Sequence, residues 1–189
     1  MTTEQPLHLG PSREAALTRA AQIVREAWQE FDHPRPTEPD NDPTLDSLFT
    51  QPLPADGIDA VAGVDIAARV LDHSYAQSRP RYLAFIGASG LEIGVLADLL
   101  VTTYDVNLAV DSKAATRVEE QCIRWLGEYL GYPADGGSFT SGGQVSNLTA
   151  LACARERMFP GTRRTGVGAV RATVYVSQEA HYSVRRAVE

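Results

Sequence analysis

The stretch Ser138-Phe139-Thr140-Ser141-Gly142-Gly143-Gln144-Val145-Ser146-Asn147 constrains this chain more than any other. A short apolar run ends in the glycine pair, a polar turn follows, and an amphipathic helix then continues through Leu148, Leu151, Ala152 and Met158. Glycine lets the backbone approach a ligand with no Cβ in the way. The first amides of a helix have no internal acceptor, and the helix dipole makes that end partly positive. Together these features form a ready anion site, typically for a phosphate. The same doublet also serves a tight strand-to-helix turn with no ligand, and the residues alone leave both readings open.

A second feature follows about forty residues on. Thr173-Val174-Tyr175-Val176-Ser177 is strand-like, and His181 comes just after it. That is the edge where open α/β sheets place their ligands. A phosphate cradle and then an aromatic base after the next strand suggest a flat, phosphorylated cofactor. Rival motifs fit less well. A P-loop needs Gly-Lys-Ser/Thr, and no lysine stands here. Gly166-Val167-Gly168 precedes the strand, whereas a Rossmann loop follows one. Gly87-Ala88-Ser89-Gly90 misses the spacing of a nucleophile elbow.

The order of elements points to an α/β chain. Leu17, Ala20, Ala21, Val24, Ala27, Trp28 and Phe31 recur at helical steps and predict a helix over 12–31, with Ser12 as N-cap and Glu14 in the first turn. Residues 33–56 hold Pro34, Pro36, Pro39, Pro43, Pro52 and Pro54 and read as an extended linker or arm, solvated or lying across a partner subunit. Further helices are expected from about Ile58 to Tyr75, from about Ser89 to Tyr104, and from Asp111 or Ser112 to Leu130, the last closed by Gly131 and Pro133. An aromatic-rich extended run spans Arg79 to Gly90, and a surface loop spans 160–171. Strand, helix and strand then follow, as at the opening of a mostly parallel sheet. The expected organisation is a helical arm over 1–78 with its Pro-rich linker at 33–56, then the first part of a large α/β domain over 79–189.

Composition excludes several classes. The 189 residues carry a formal net charge of −7, which argues against a nucleic-acid partner. No apolar run is long enough to span a membrane, and the N-terminus lacks a secretory signal. Cys122 and Cys153 read as small buried thiols of a cytoplasmic protein. His8, His33 and His73 read as solvated, and no metal site is expected. Arg163, Arg164 and Arg171 read as a solvated face. Of the 17 basic residues only Lys113 is a lysine, so any chemistry that needs an amine from this chain falls to it.

Four blocks resemble the group II pyridoxal-phosphate-dependent decarboxylases, which include glutamate, aromatic amino acid, cysteine sulfinate and 2,4-diaminobutyrate decarboxylases. Pro80-Arg81-Tyr82-Leu83-Ala84-Phe85 is similar to the family's segment near the substrate entrance. Ala114-Ala115-Thr116, with the helix to Trp125-Leu126 and Leu130-Gly131-Tyr132-Pro133, is similar to its dimer-region helix. Phe139 to Leu148, with Ala154-Arg155, is similar to its phosphate-binding block. Tyr175-Val176-Ser177 through Ala180-His181 and Ser183 is similar to the block that carries its cofactor histidine.

The resemblance implies the large domain of a fold-type I enzyme, α/β with a mostly parallel sheet, working as a homodimer on an amino acid with pyridoxal 5'-phosphate. Gly142, Gly143 and Gln144 would bind the cofactor phosphate. His181 would stack on the pyridine ring as a catalytic residue, and Phe85, Ile86 and Gly87 would border the substrate pocket. The chain departs from the pattern in lacking the Schiff-base lysine and the aspartate for the pyridine nitrogen, which follow the histidine in such enzymes. Lys113, Arg117 and Gln144 also stand where Pro, Glu and Thr are common. The expectation is therefore the N-terminal portion of an amino acid α-decarboxylase, inactive alone. A non-catalytic phosphate-binding or dimerisation module, or another fold-type I enzyme such as an aminotransferase, remains the alternative.

Overall fold

A computed structural model describes residues 8–40, 42–132 and 136–189. The chain forms two compact units, Met1–Tyr104 and Asp105–Glu189.

In the first unit a single 3-10 turn, Gly10–Ser12, leads into α1 (Arg13–Phe31). Ser12 precedes the helix but makes no side-chain cap, because its backbone is already in the right-handed helical region. The apolar stripe of α1 packs on α3 (Ala60–Asp72) and buries Ala16, while Arg19 reaches Asp65 across the pair at 2.6 Å. Asp59 starts α3 by accepting from the amides of Val61 and Ala62, each at 3.0 Å.

The Pro-rich segment differs from its expectation. Arg35, Glu38, Asp40 and Asp42 contact the C-terminal end of α3 and the residues just after it. Arg35 donates to the Asp72 carbonyl, Tyr75 donates to Glu38 at 3.2 Å, and His73 Nδ1 bonds the Asp40 carbonyl at 2.8 Å. The Glu38 carboxylate raises the Tyr75 phenol above its usual range by accepting its hydrogen bond. His73 is exposed, as expected, and its ring is also bonded to the Pro-rich segment. Pro43–Thr50 is a helix, α2, and its Leu45 is only 3% exposed. The reason is local. Asp42 caps the Thr44 amide at 2.9 Å, and Pro43 at the first helical position has the φ a helix needs.

Residues 79–86 also differ from the extended run expected there. Two successive turns close, Arg79 N–H to the Ala76 carbonyl and Tyr82 N–H to the Arg79 carbonyl. The last helix of this unit is α4 (Glu92–Tyr104), which starts three residues beyond Ser89.

In the second unit α5 (Ala114–Tyr129) follows Lys113, which sits at the N-cap with φ 58. Gly131, at φ 65, ends α5. Its amide bonds the Glu128 carbonyl and the Tyr132 amide bonds the Gly127 carbonyl at 2.8 Å, which is the Schellman pattern. Pro133, expected to help end this helix, lies outside the described residues. α6 (Gly143–Met158), α7 (Thr162–Thr165) and α8 (Tyr182–Val188) complete the unit, and α6 packs on both α7 and α8.

The expected surface loop at 160–171 contains α7 because Glu156 organises it. The Glu156 carboxylate accepts from the Gly161 amide at 2.7 Å, the Arg163 amide at 2.8 Å and the Thr162 hydroxyl at 3.1 Å. These bonds, that from Gly161 foremost, hold its carboxyl below the ordinary value of 4.5. A depressed folded value means that the group's contribution is complete above 4.5 and is lost as pH falls through the lower folded value. Amide hydrogen exchange should show Gly161 and Arg163 protected at neutral pH and unprotected in acid. Glu156→Gln should weaken that protection at neutral pH and remove the acid step.

No strand occurs among the described residues, so the expected strands at 138–140 and 173–177 are not formed here. A strand is completed by hydrogen bonds from a neighbouring strand, and neither run has one to pair with. The core is correspondingly small. Ala16 and Leu45 are the buried apolar side chains among the described residues, while Ile93, Leu96, Leu99 and Leu100 of α4 and Trp125 and Tyr129 of α5 are exposed. Cys153 is exposed and Cys122 half-buried, both free, where buried thiols were expected. No helix among the described residues is long and apolar enough to cross a membrane.

Candidate cofactor site

The glycine doublet opens α6. Gly142 is the N-cap at φ 153 and ψ 168, a region that is open essentially to glycine alone. No side chain caps this end, and the first turn holds no acidic residue. The leading amides of α6 are therefore free of side-chain acceptors, and the local field favours an anion. A Cβ built at Gly143 meets nothing within 4 Å, so the space before the helix is open. Thr140 borders the turn. Its hydroxyl lies 2.6 Å from the Ser146 hydroxyl, and the Ser146 amide donates to the Gly142 carbonyl at 3.0 Å. Gln144 follows in the first turn, with its side chain exposed.

His181 is brought to this end of the unit by the packing of α8 on α6. It is the N-cap of α8, and its Nδ1 accepts from the Ser183 amide at 3.2 Å. Ser183 is 1% exposed, and its hydroxyl takes a 2.8 Å bond from Asn147 Nδ2, one turn into α6. The imidazole itself is exposed and leans on Tyr182, with centroids 4.2 Å apart. The sequence reading missed the roles of Asn147 and Ser183. The one available signal was a serine two residues past the histidine, at the start of a helix.

Phe85, Ile86 and Gly87 belong to the first unit. Phe85 and Ile86 are fully exposed, at 93% and 106%. Phe85 and Arg81 both hold positive φ, 58 and 69, a strained state for side chains of this size. Arg79 anchors the start of this segment. Its guanidinium stacks on Phe31 at 4.7 Å and pairs with Glu30 at 3.1 Å and Asp72 at 3.5 Å.

Lys113 is a poor candidate for covalent chemistry. Its side chain is 87% exposed, and its Nζ lies 2.9 Å from Asp111 Oδ2. The lysine's bonds in turn hold the Asp111 carboxyl below its usual range.

A family model for the pyridoxal-dependent decarboxylase conserved domain matches residues 54–189. The chain belongs to the pyridoxal-dependent decarboxylase family. An aromatic-L-amino-acid decarboxylase of Bacillus atrophaeus is 31% identical over 149 residues, covering 77% of this chain and 30% of that protein. An L-2,4-diaminobutyrate decarboxylase of Rhizobium meliloti (strain 1021) is 32% identical over 145 residues, covering 75% of this chain and 28% of that protein. An acidic amino acid decarboxylase GADL1 of Xenopus tropicalis is 29% identical over 133 residues, covering 66% of this chain and 25% of that protein. The chain thus spans less than a third of the length of each of these relatives.

Pyridoxal 5'-phosphate is the cofactor that this family implies, and the residues present fit its phosphate end. Gly142 holds a backbone that only glycine tolerates, the amides behind it have no side-chain acceptor, and a dianion suits the helix dipole. The exposed imidazole of His181 offers a flat partner for a ring.

Proposed function

We propose that this chain supplies the phosphate-binding and ring-facing part of a pyridoxal-phosphate-dependent L-amino acid α-decarboxylase. The observation that carries the reading is the juxtaposition in the second unit. The uncapped, glycine-led end of α6 is tied within one turn to the segment that presents His181, in a chain of this family. Gly142, Gly143 and Gln144 hold the phosphate through their amides and the Gln144 side chain. His181 faces the pyridine ring. Phe85, Ile86 and Gly87 border the substrate pocket of the same subunit or of its partner.

When bound, pyridoxal 5'-phosphate supplies an electron sink for the pair left behind by a departing carboxylate. This chain's residues anchor and orient. The N-terminal end of α6 would partly offset the phosphate charge, and the His181 imidazole would lie against the ring. The exposed Lys113, paired with Asp111, does not suit the role of the lysine that carries the cofactor.

The same reading takes 1–78 as a helical arm, with the Pro-rich stretch 33–56 inside it, and 79–189 as the start of a fold-type I large domain. Residues 138–140 and 173–177 then join a mostly parallel sheet whose other strands complete their ladders. The exposed apolar faces of α4 and α5 support a homodimer in which neighbouring chain covers them.

The names of the relatives point to aromatic, diamino or acidic amino acids as substrates. The test is carbon dioxide release by the full-length protein, loaded with cofactor, from L-amino acids of these three classes. Release from one class with cofactor dependence is expected. No release from any, with transamination instead, would place the protein among other fold-type I enzymes.

A further inference from the structure

We propose that Asn147 and Ser183 are positioning residues for His181, fixing its neutral imidazole as the Nε2–H tautomer. The proposal deepens the reading above and rests on it for the role of His181 toward the cofactor.

The bonds run in one direction. A backbone N–H can only donate, so the Ser183 amide, at 3.2 Å and the longer of the two bonds to His181 Nδ1, favours a lone pair on that nitrogen but does not by itself fix it. The shorter bond from the Ser183 hydroxyl completes the preference and leaves the proton of the neutral ring on Nε2. Asn147 Nδ2 also can only donate, and it occupies a lone pair of Ser183 Oγ at 2.8 Å. The Ser183 hydroxyl is then free to give its own proton to His181 Nδ1, at 2.8 Å. Ser183 is the most deeply buried side chain among the described residues, at 1% exposure, so water does not replace either partner.

The Asn147 bond spans 36 residues and joins two helices. A serine that only started α8 would need no such partner. The result is a ring gripped at one nitrogen, with Nε2–H left as its outward donor.

Imidazole nitrogen NMR of the full chain tests this, at a pH where the ring is neutral. The wild type should show one tautomer, with Nδ1 unprotonated and Nε2 protonated. Ser183→Ala should blur that pattern, and Ser183→Thr, which keeps a hydroxyl, should preserve it. Asn147→Asp is nearly isosteric but replaces the donor by an acceptor. It should draw the Ser183 proton toward itself, turn Oγ into an acceptor facing Nδ1, and move the ring toward protonation at that nitrogen. A folded Asn147→Asp chain with the wild-type tautomer would overturn the proposal, as would a wild-type ring protonated at Nδ1. Titration with pyridoxal 5'-phosphate is read separately. A correct tautomer pattern with His181 resonances unmoved by the cofactor keeps the positioning pair and removes the cofactor role of His181.

Discussion

Replacing Gly142 by alanine is expected to weaken binding of pyridoxal 5'-phosphate roughly ten- to a hundredfold. At φ 153 and ψ 168 the residue occupies a region that costs a side chain-bearing residue about 1–3 kcal/mol. Alanine either bears that strain or rotates the peptide before α6, which turns the leading amides away from the anion. Each 1.4 kcal/mol is a factor of ten in affinity, hence the range. Gly143→Ala is the informative companion. Gly143 is the first residue of α6, has no positive φ, and has open space where its Cβ would stand. Alanine there should leave helix stability about unchanged, because the position is the first of α6 and not its interior, while a methyl group crowds the phosphate. Calorimetric titration with pyridoxal phosphate and with inorganic phosphate, beside thermal melts, separates the two. Gly142→Ala should lose both affinity and stability, and Gly143→Ala affinity alone. Wild-type affinity in both variants would remove the anion site from α6.

Residues 1–189 expressed alone are expected to retain no cofactor covalently. An amine becomes a nucleophile when burial or a neighbouring cation removes its charge. Lys113 has neither of these. Its side chain is 87% exposed, and its Nζ is engaged by the Asp111 carboxylate at 2.9 Å. Stoichiometric pyridoxal 5'-phosphate followed by borohydride should leave the Lys113 peptide unmodified in mass maps, and no carbon dioxide should appear with any amino acid. An adduct at Lys113 accompanied by decarboxylation would show that this lysine does the work assigned to another part of the enzyme.

The helices were largely legible, and the reason is visible in α1 and α3. Their apolar residues recur at three- and four-residue steps, and such periodicity is a local property. The short α2 was not read because Pro43 was counted with its neighbours as a breaker. Only its place directly after the capping Asp42 makes it a helix starter. The turn residues at 79–86 were read as extended because aromatic content says nothing of positive φ at Arg81 and Phe85. In the candidate site the glycine doublet was legible, since a backbone need is written in residue type. The Asn147–Ser183 bond was not, since nothing in either residue's neighbourhood names a partner 36 positions away.

Residue identity and spacing by themselves determined the family, the helix pattern, the flexible backbone at Gly142, and the fact that Lys113 is the chain's one amine side chain. These follow from local sterics and covalent inventory, which need no fold. Only the tertiary structure decided that α8 lies on α6, that Ser183 is sealed between them, and which nitrogen of His181 is held. Those depend on burial and on hydrogen bonds between distant segments, and such bonds have no partners until the chain has packed.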